Sequence, residues 1–159
     1  MVVMVLISLM TAFAMPGLRS TLFSDQLKSA ARKILGLVSE ASQEAFRRQS
    51  GYTLHFDLEL NSIFPDQGQN EETGGRQQMG KETALPGSVR VVDVVSVHGG
   101  KQSEGTAVIR FSRKGYVDKT LIHLSADDGR DMTIMLSPFL GVASVFDSYI
   151  DLEDDQVNY

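Results

Sequence analysis

The chain has 159 residues, which is enough for one domain of ordinary size and an appendage. Its formal net charge is −5 and its last basic residue is Arg130, so the final part of the chain repels phosphate backbones and argues against nucleic-acid binding. The absence of cysteine excludes disulfides, thiol catalysis and zinc sites with thiolate ligands.

The first fifteen residues are apolar except Ser8 and Thr11, and the pair Pro16-Gly17 follows them. As a helix they would be about 22 Å long, whereas the apolar core of a bilayer is about 30 Å thick. Ala12-Phe13-Ala14 resembles a signal-peptide cleavage site, but no basic residue precedes it. Three interpretations stay open, namely a membrane or filament helix, a cleaved signal, and a buried helix of a soluble protein.

An amphipathic helix is predicted over residues 24–50, after a kink at Pro16-Gly17. Apolar residues recur there at steps of three and four, and Gly51 marks the end. The opposite side is charged and includes Glu44 and Arg48 at a favourable spacing. The residues predicted to pack on a sheet are Phe23, Leu27, Ala31, Ile34, Val38 and Ala45, with Ala30, Leu35, Ala41 and Phe46 on the same side.

After Gly51 the pattern changes to the alternation of strands. The first predicted strand covers 52–60, Asn61 to Pro65 is predicted to be a turn, and the polar stretch 66–83 a mobile loop. Further strands are predicted at 88–97, 106–112, 120–125, 131–137 and 141–146. The prediction is an α+β fold in which the helix covers one antiparallel sheet spanning 52–146, followed by an acidic tail, 147–159.

No motif for catalysis, cofactor binding or metal binding is found in the sequence. His55, His98 and His123 fall in separate strand regions without metal-ligand spacing, and we expect solvated side chains without a catalytic role. The tail residues 151–155, DLEDD, are predicted to be solvated, with calcium binding or docking to a basic partner as alternatives. We expect no enzyme.

The run VVMVLISLMTAFAMPGLRS resembles the N-terminal helix of type IV pilins and type II secretion pseudopilins, whose mature chains begin Phe-Thr-Leu-x-Glu-Leu-Leu-Val-Val. When Val2-Val3 is placed on the Val-Val pair of that family, Pro16 falls on the family's proline without a gap. On this alignment we expect that about six mature residues, including the Phe and the Glu, and a short leader precede Met1. Restoring them would give about 21 apolar positions, enough to span a bilayer.

The later part of the chain resembles H-type minor pseudopilins and FimT-type pilins. The resemblance lies in a strand, Val108-Ile109-Arg110-Phe111, that leads to Gly115, and in a strand pair around Asp128-Gly129. It implies a pilin-like fold with residues 1–23 as a membrane-spanning and filament-core half-helix and residues 24–159 as a periplasmic head. The membrane and filament residues it implies are Val2, Val3, Val5, Leu6, Ile7, Leu9, Phe13 and Pro16.

The function that the resemblance implies is that of a minor pseudopilin, a structural subunit of the periplasmic pseudopilus in a type II secretion system. It implies a single-pass protein of the bacterial inner membrane with no cofactor. Its partners would be other pseudopilins, the inner-membrane platform of the secretion system, the lipid bilayer, and prepilin peptidase if the full N-terminus exists.

Two alternatives come from other classes. A FimT-like minor pilin would act in pilus assembly or DNA uptake, with a modest basic cluster at Arg110, Arg113, Lys114 and Lys119. An exported globular β protein would be released by cleavage after Ala14.

Overall fold

The computed structural model describes residues 2–66, 81–138 and 143–151, and within the first half of the helix only the side chains of Val3 and Met4. From Gln26 onward the helix side chains are described without a gap. A single helix precedes nine strands: α1 Val2–Arg48, β1 Tyr52–Asp57, β2 Ser62–Asp66, β3 Thr83–Ala84, β4 Val89–Ser96, β5 Gly100–Gln102, β6 Thr106–Phe111, β7 Thr120–Ala126, β8 Asp131–Leu136 and β9 Ala143–Phe146.

Helix α1 runs without interruption through Pro16-Gly17, so the two predicted half-helices belong to one element. It ends at Arg48 because Gln49 has a φ of 52°, a left-handed conformation that stops a helix. Gln49 also closes the end through its side chain, whose Nε2 donates to the carbonyl of Phe46 at 2.7 Å. Among the described residues, no helix combines the length and the apolar character needed to cross a membrane.

The strands form two antiparallel sheets where one was predicted. Sheet A has the order β3-β2-β1-β6, and sheet B has the order β5-β4-β7-β8-β9. The physical reason lies in the chain between β6 and β7, where Phe111 and Val117 form an isolated bridge and the chain turns away from sheet A. As a result, β6 pairs with β1 and β7 pairs with β4.

The prediction for residues 52–66 is wrong in two places. Strand β1 ends at Asp57, whose Oδ1 accepts hydrogen bonds from the backbone N–H groups of Glu59 at 3.0 Å and Leu60 at 2.8 Å. Such a local bond favours a turn over a continued strand. The predicted turn at Asn61 to Pro65 is largely strand β2. Pro65 is tolerated there because β3 pairs with only the first two residues of β2, so no neighbour needs its N–H on that side.

The predicted loop 66–83 is also shorter than expected, since Asp66 ends β2 and Thr83 begins β3. The rest of it, 67–80, lies outside the described residues. The four predicted strands from 88 to 137 correspond to β4, β6, β7 and β8, and β9 is described from Ala143. Two short strands, β3 and β5, were not predicted, because two or three residues carry no detectable alternation.

The core lies between α1 and the two sheets, and its largest fully buried side chains include Ile34, Phe56 and Ile134. Buried alanines on α1 let the helix backbone approach the strands closely: Ala30, Ala31, Ala41 and Ala45. The predicted α+β class, one long helix on antiparallel strands, is confirmed. Phe46 is a correction: it is 61% exposed, because it lies about 100° around the helix axis from the buried Ala45.

Candidate functional site

The described side chains of α1 differ between its two ends. Val3 and Met4 are 68% and 75% exposed, while Leu27 is the first described side chain that is buried. At 1.5 Å per residue, about 35 Å of helix separates Met4 from Leu27. The buried positions from Leu27 to Ala45 cover only about another 27 Å.

The membrane and filament residues implied by the resemblance all lie on this first part of α1. The structure places their backbone in one helix. Except for Val3, their side chains lie outside the described ones: Val2, Val5, Leu6, Ile7, Leu9, Phe13 and Pro16. Of the predicted packing residues, Leu27, Ala31, Ile34 and Ala45 are buried, Val38 is half-buried, and the side chain of Phe23 is not among those described.

Hydrogen bonds connect the second part of α1 to the rest of the head at three positions along the helix axis. Near the beginning of the head, Gln26 is hydrogen-bonded to Ser88, and about two turns further along the helix Lys33 donates from Nζ to the carbonyl of Ala84 at 2.6 Å. Near the end of the helix, Ser42 donates from Oγ to the carbonyl of Gly115 at 2.8 Å. Together with the buried apolar side, these bonds hold α1 against both sheets. The helix and the two sheets should therefore move as one body.

A cavity of about 140 Å³ lies between α1 and the chain that follows β6 and β8. Its lining mixes apolar groups such as Leu35 and Val38 with the uncharged polar side chains of Ser39 and Gln43. None of the described residues that line it is an acid, a histidine or a lysine. These residues therefore offer no pair of groups for acid–base chemistry and no ligands for a metal ion.

A polar cluster that the sequence analysis did not predict forms a row across sheet B. Asp93 on β4 is directly opposite His123 on β7, and His123 is directly opposite Thr133 on β8. All three side chains are buried, and His123 is only 1% exposed. Its Nδ1 lies 2.5 Å from Oδ1 of Asp93. The expectation of a solvated His123 is therefore wrong.

The other two histidines stay near the surface. His98 is exposed and its Nδ1 lies 3.2 Å from Asp118. His55 is half-buried, stacks on Phe64 with 5.1 Å between ring centroids, and lies 3.5 Å from Asp66. The sequence did contain an indication that His123 is buried. Asp93 and His123 are each the one polar residue in an apolar stretch, 91–95 and 121–124 respectively.

A lysine and a tyrosine complete the cluster. Lys101 Nζ lies 3.2 Å from Oδ2 of Asp93 and donates to the hydroxyl of Tyr149 at 2.8 Å. The Tyr149 hydroxyl donates in turn to Oδ2 of Asp93 at 3.2 Å, and its ring stacks on His123 with 3.8 Å between centroids. The hydrogen bonds that Lys101 makes to Tyr149 and Asp93 raise the pKa of its amine.

The acidic tail predicted at 147–159 begins with a segment that packs on sheet B; of the residues predicted to be solvated, 151–155, Asp151 is described and is exposed. Thr133 donates from Oγ1 to the carbonyl of Ser148 at 2.6 Å and accepts from the N–H of Ile150 at 3.2 Å. The carbonyl of Ile150 lies 2.8 Å from Nε2 of His123. The segment Ser148–Ile150, which we call the C-terminal strap, thus belongs to the folded head, whereas 152–159 lies outside the described residues.

An Asp–His pair is a familiar acid–base device, but this one has no open nitrogen. Because Nδ1 of His123 faces Asp93 and Nε2 faces the carbonyl of Ile150, no ring nitrogen is left for a substrate proton. Within the described ranges, no group of three or more His, Asp or Glu residues is arranged to hold a metal ion. The geometry is that of a structural network that holds the C-terminal strap.

Comparisons with known proteins bear on the fold. No protein-family model matches the sequence, and no curated protein matches it. Two solved structures of the minor pseudopilin EpsH from the type II secretion system of Vibrio cholerae do match. One covers 82% of this chain and 99% of that chain with a TM-score of 0.59 and 12% identity. The other covers 77% and 97% with a TM-score of 0.54 and 10% identity. The chain therefore has a pseudopilin-like fold, and the predicted pilin-like layout is confirmed.

Proposed function

We propose that the chain is a minor pseudopilin of the H type, a structural and non-enzymatic subunit of the pseudopilus in a type II secretion system. The observation that carries the proposal is the likeness of the fold to EpsH, which extends over nearly the whole of each solved EpsH chain. The apolar composition of the beginning of α1 supports it, because a filament subunit needs a helical surface that can pack on its neighbours.

In this proposal the apolar beginning of α1 is held in the bacterial inner membrane, and the head lies in the periplasm. During assembly the same surface would lose its contacts with lipid chains and gain contacts with the helices of other pseudopilins. The exchange is feasible because lipid chains and apolar side chains are similar environments for an apolar helix. The inner-membrane platform of the secretion system would be a further partner.

The attachment of α1 to the head explains how movement of the helix during assembly would also move the head. The helix is fastened along its second part by buried packing and by the bonds at Gln26, Lys33 and Ser42. A translation of the helix into a filament would therefore carry both sheets with it. The head would be displayed at a fixed orientation on the filament surface.

The proposal is tested by placing a charge on the apolar part of α1. The variants Val5→Asp and Leu9→Asp each put a carboxylate on a surface that must contact lipid or neighbouring helices, at a large cost in free energy. We expect each variant to be lost from the inner-membrane fraction and to abolish secretion of the substrates of the source bacterium's type II system. Membrane fractionation and an assay of secreted protein measure these effects.

The matched control is Val97→Asp, because Val97 is 60% exposed in the turn between β4 and β5. This variant should keep both membrane association and secretion. Normal insertion and secretion with Leu9→Asp would refute the proposal. Recovery of the wild-type chain in the soluble periplasm would instead favour an exported globular protein.

A role in DNA uptake gives a different result in a separate assay. The cluster considered above includes the exposed side chains of Arg110 on β6 and Arg113 and Lys114 in the turn that follows. If the chain captured DNA, the full chain in detergent micelles would retard a DNA duplex in a salt-sensitive manner, and Arg113→Ala would weaken this binding. We expect no retardation at physiological salt, because the net charge is −5.

A further inference from the structure

The C-terminal strap, Ser148–Ile150, contacts one polar row on sheet B. Asp93, His123 and Thr133 lie side by side on three adjacent strands, on the same face of the sheet. Their neighbours along the strands, such as Ile122 and Ile134, face the core on the other side. The row and the strap therefore form a layer of their own, separate from the main core and independent of the proposed function.

The hydrogen bonds of Asp93 require a proton on Nδ1 of His123. Oδ2 of Asp93 faces the ammonium group of Lys101 at 3.2 Å and the hydroxyl of Tyr149 at 3.2 Å, which are both donors. Facing these two donors, the Asp93 side chain acts as a hydrogen-bond acceptor in the cluster. Nδ1 of His123, 2.5 Å from Oδ1, is therefore the donor in that contact.

The other side of the ring also faces an acceptor. Nε2 of His123 lies 2.8 Å from the carbonyl oxygen of Ile150, and a carbonyl oxygen cannot donate. A neutral imidazole has one N–H and one lone pair, so it can satisfy only one of these two contacts. Both contacts are satisfied together only when both ring nitrogens carry protons.

Among the described residues, the charged and titratable groups around His123 come from three elements. Asp93 on β4 and Tyr149 in the strap contact the ring, and Lys101 on β5 contacts both of those side chains. From β8 the ring meets Thr133, which does not titrate. Because the side chains of His123 and Asp93 are 1% and 2% exposed, solvent screens their contact poorly.

We propose that the C-terminal strap is a proton-dependent latch, closed while both ring nitrogens of His123 are protonated and released when the ring loses one proton. After that loss, a lone pair on Nε2 would face the carbonyl oxygen of Ile150, because Asp93 keeps the remaining proton on Nδ1. The contacts of the strap with Thr133 and those of Tyr149 remain, but the contact between His123 and Ile150 is lost. Raising the pH therefore opens the latch.

The first test is nuclear magnetic resonance on the full chain in detergent micelles. At mildly acid pH, the ¹⁵N shifts of the His123 ring should show two N–H groups. As the pH is raised, loss of one proton should coincide with a drop of at least about tenfold in the exchange protection of the Ile150 N–H, corrected for the intrinsic pH dependence of exchange. A single N–H on His123 in the closed state would overturn the proposal, as would unchanged protection of Ile150 after deprotonation.

A pair of variants separates the latch from a general effect of pH. In His123→Gln the side-chain amide can donate to the carbonyl of Ile150 without titrating, so the protection of Ile150 should no longer depend on pH. The control His98→Gln changes an exposed histidine and should keep the pH dependence of the wild type. The same pH-dependent opening in His123→Gln would overturn the proposal. The wild-type measurement remains decisive if that variant does not fold.

Discussion

Ser42 on α1 and Gly115 in the turn between β6 and β7 are in direct contact, with the hydroxyl of Ser42 donating to the carbonyl of Gly115 at 2.8 Å. A Cβ atom at position 115 would lie 2.8 Å from both the backbone oxygen and the Oγ of Ser42. Gly115 also has a φ of 78°, in the left-handed region. The turn can reach the helix because this position has no side chain.

Replacing this glycine should therefore be costly. Gly115→Ala combines a left-handed alanine, at about 1–2 kcal/mol, with a backbone clash worth about 1–3 kcal/mol. The control Gly105→Ala has a similar φ, 68°, but no atom within 4 Å of the added Cβ. Urea unfolding of the full chain in detergent micelles should show a larger loss for Gly115→Ala. Equal losses would mean that the helix and the turn do not approach as closely as described.

Truncation of two apolar residues on α1 should change the free energy of unfolding by very different amounts. Ile34 is fully buried in the core, so Ile34→Ala should lower the free energy of unfolding by about 2–5 kcal/mol. Phe46 is 61% exposed, so Phe46→Ala should change it by no more than about 0.5 kcal/mol. The same urea experiment measures both. A large loss with Phe46→Ala would contradict the exposed position of that side chain.

Asn61 connects the two sheets through its side chain and its unusual backbone. Its Nδ2 donates to the carbonyl of Val89 at 2.6 Å, and its Oδ1 accepts from the N–H of Val91 at 3.2 Å. Asn61→Gly keeps the left-handed φ of 52° available but removes both bonds, so we expect a loss of about 1–3 kcal/mol.

Gln49 is the matched control, since it has the same φ of 52° at the exposed end of α1. Gln49→Gly relieves the left-handed conformation and gives up one exposed hydrogen bond, so its stability should stay within about 0.5 kcal/mol of the wild type or exceed it. A stability of Asn61→Gly equal to that of Gln49→Gly would contradict the bridging role of the Asn61 side chain.

Glu44 should make a small contribution to acid sensitivity. Hydrogen bonds from Arg47 and Arg48 lower the pKa of its carboxyl group. A pKa lowered by folding gives stability that is present above the unfolded value and is lost as the pH falls through the folded value. Glu44→Gln should therefore reduce the decrease in melting temperature between neutral and acid pH.

The control for this effect is Glu40→Gln on the same helix, where the carboxylate makes no ion pair within the described part of the chain. Melting temperatures across the acid range would be compared for the two variants. An identical pH profile for wild type and Glu44→Gln would show that the exposed ion pairs of Glu44 contribute nothing measurable.

Much of the fold follows from local patterns. The helix period between Leu27 and Ala45 and the alternation in β1 and β6 identify the elements, because each has one side that must be buried. The pairing between strands does not follow from these local patterns. The division into two sheets depends on the turn after Phe111, and pairings between distant strands are not encoded in the alternation of either strand.

The polar cluster shows the same limit. Asp93 and His123 were each visible as polar residues inside apolar strands, but only the register of β4 and β7 brings them opposite each other. The docking of Tyr149 could not be predicted from composition, since an acidic, polar tail usually stays solvated. The fold places the beginning of this tail beside Lys101 and Thr133. Their hydrogen bonds to Tyr149 and Ser148 replace the hydrogen bonds that these residues would otherwise make to water.

The central claim, that the apolar part of α1 packs on other pseudopilins, is tested most directly by photo-crosslinking in the source bacterium. A benzoylphenylalanine would replace Leu9 on α1, with the same replacement of Leu60, which is 72% exposed on the head, as the control. Mass spectrometry would identify the adducts. We predict that position 9 yields adducts with other pseudopilins while secretion continues, whereas position 60 does not yield the same set. A secretion-competent protein that gives no pseudopilin adduct at position 9 would contradict the account.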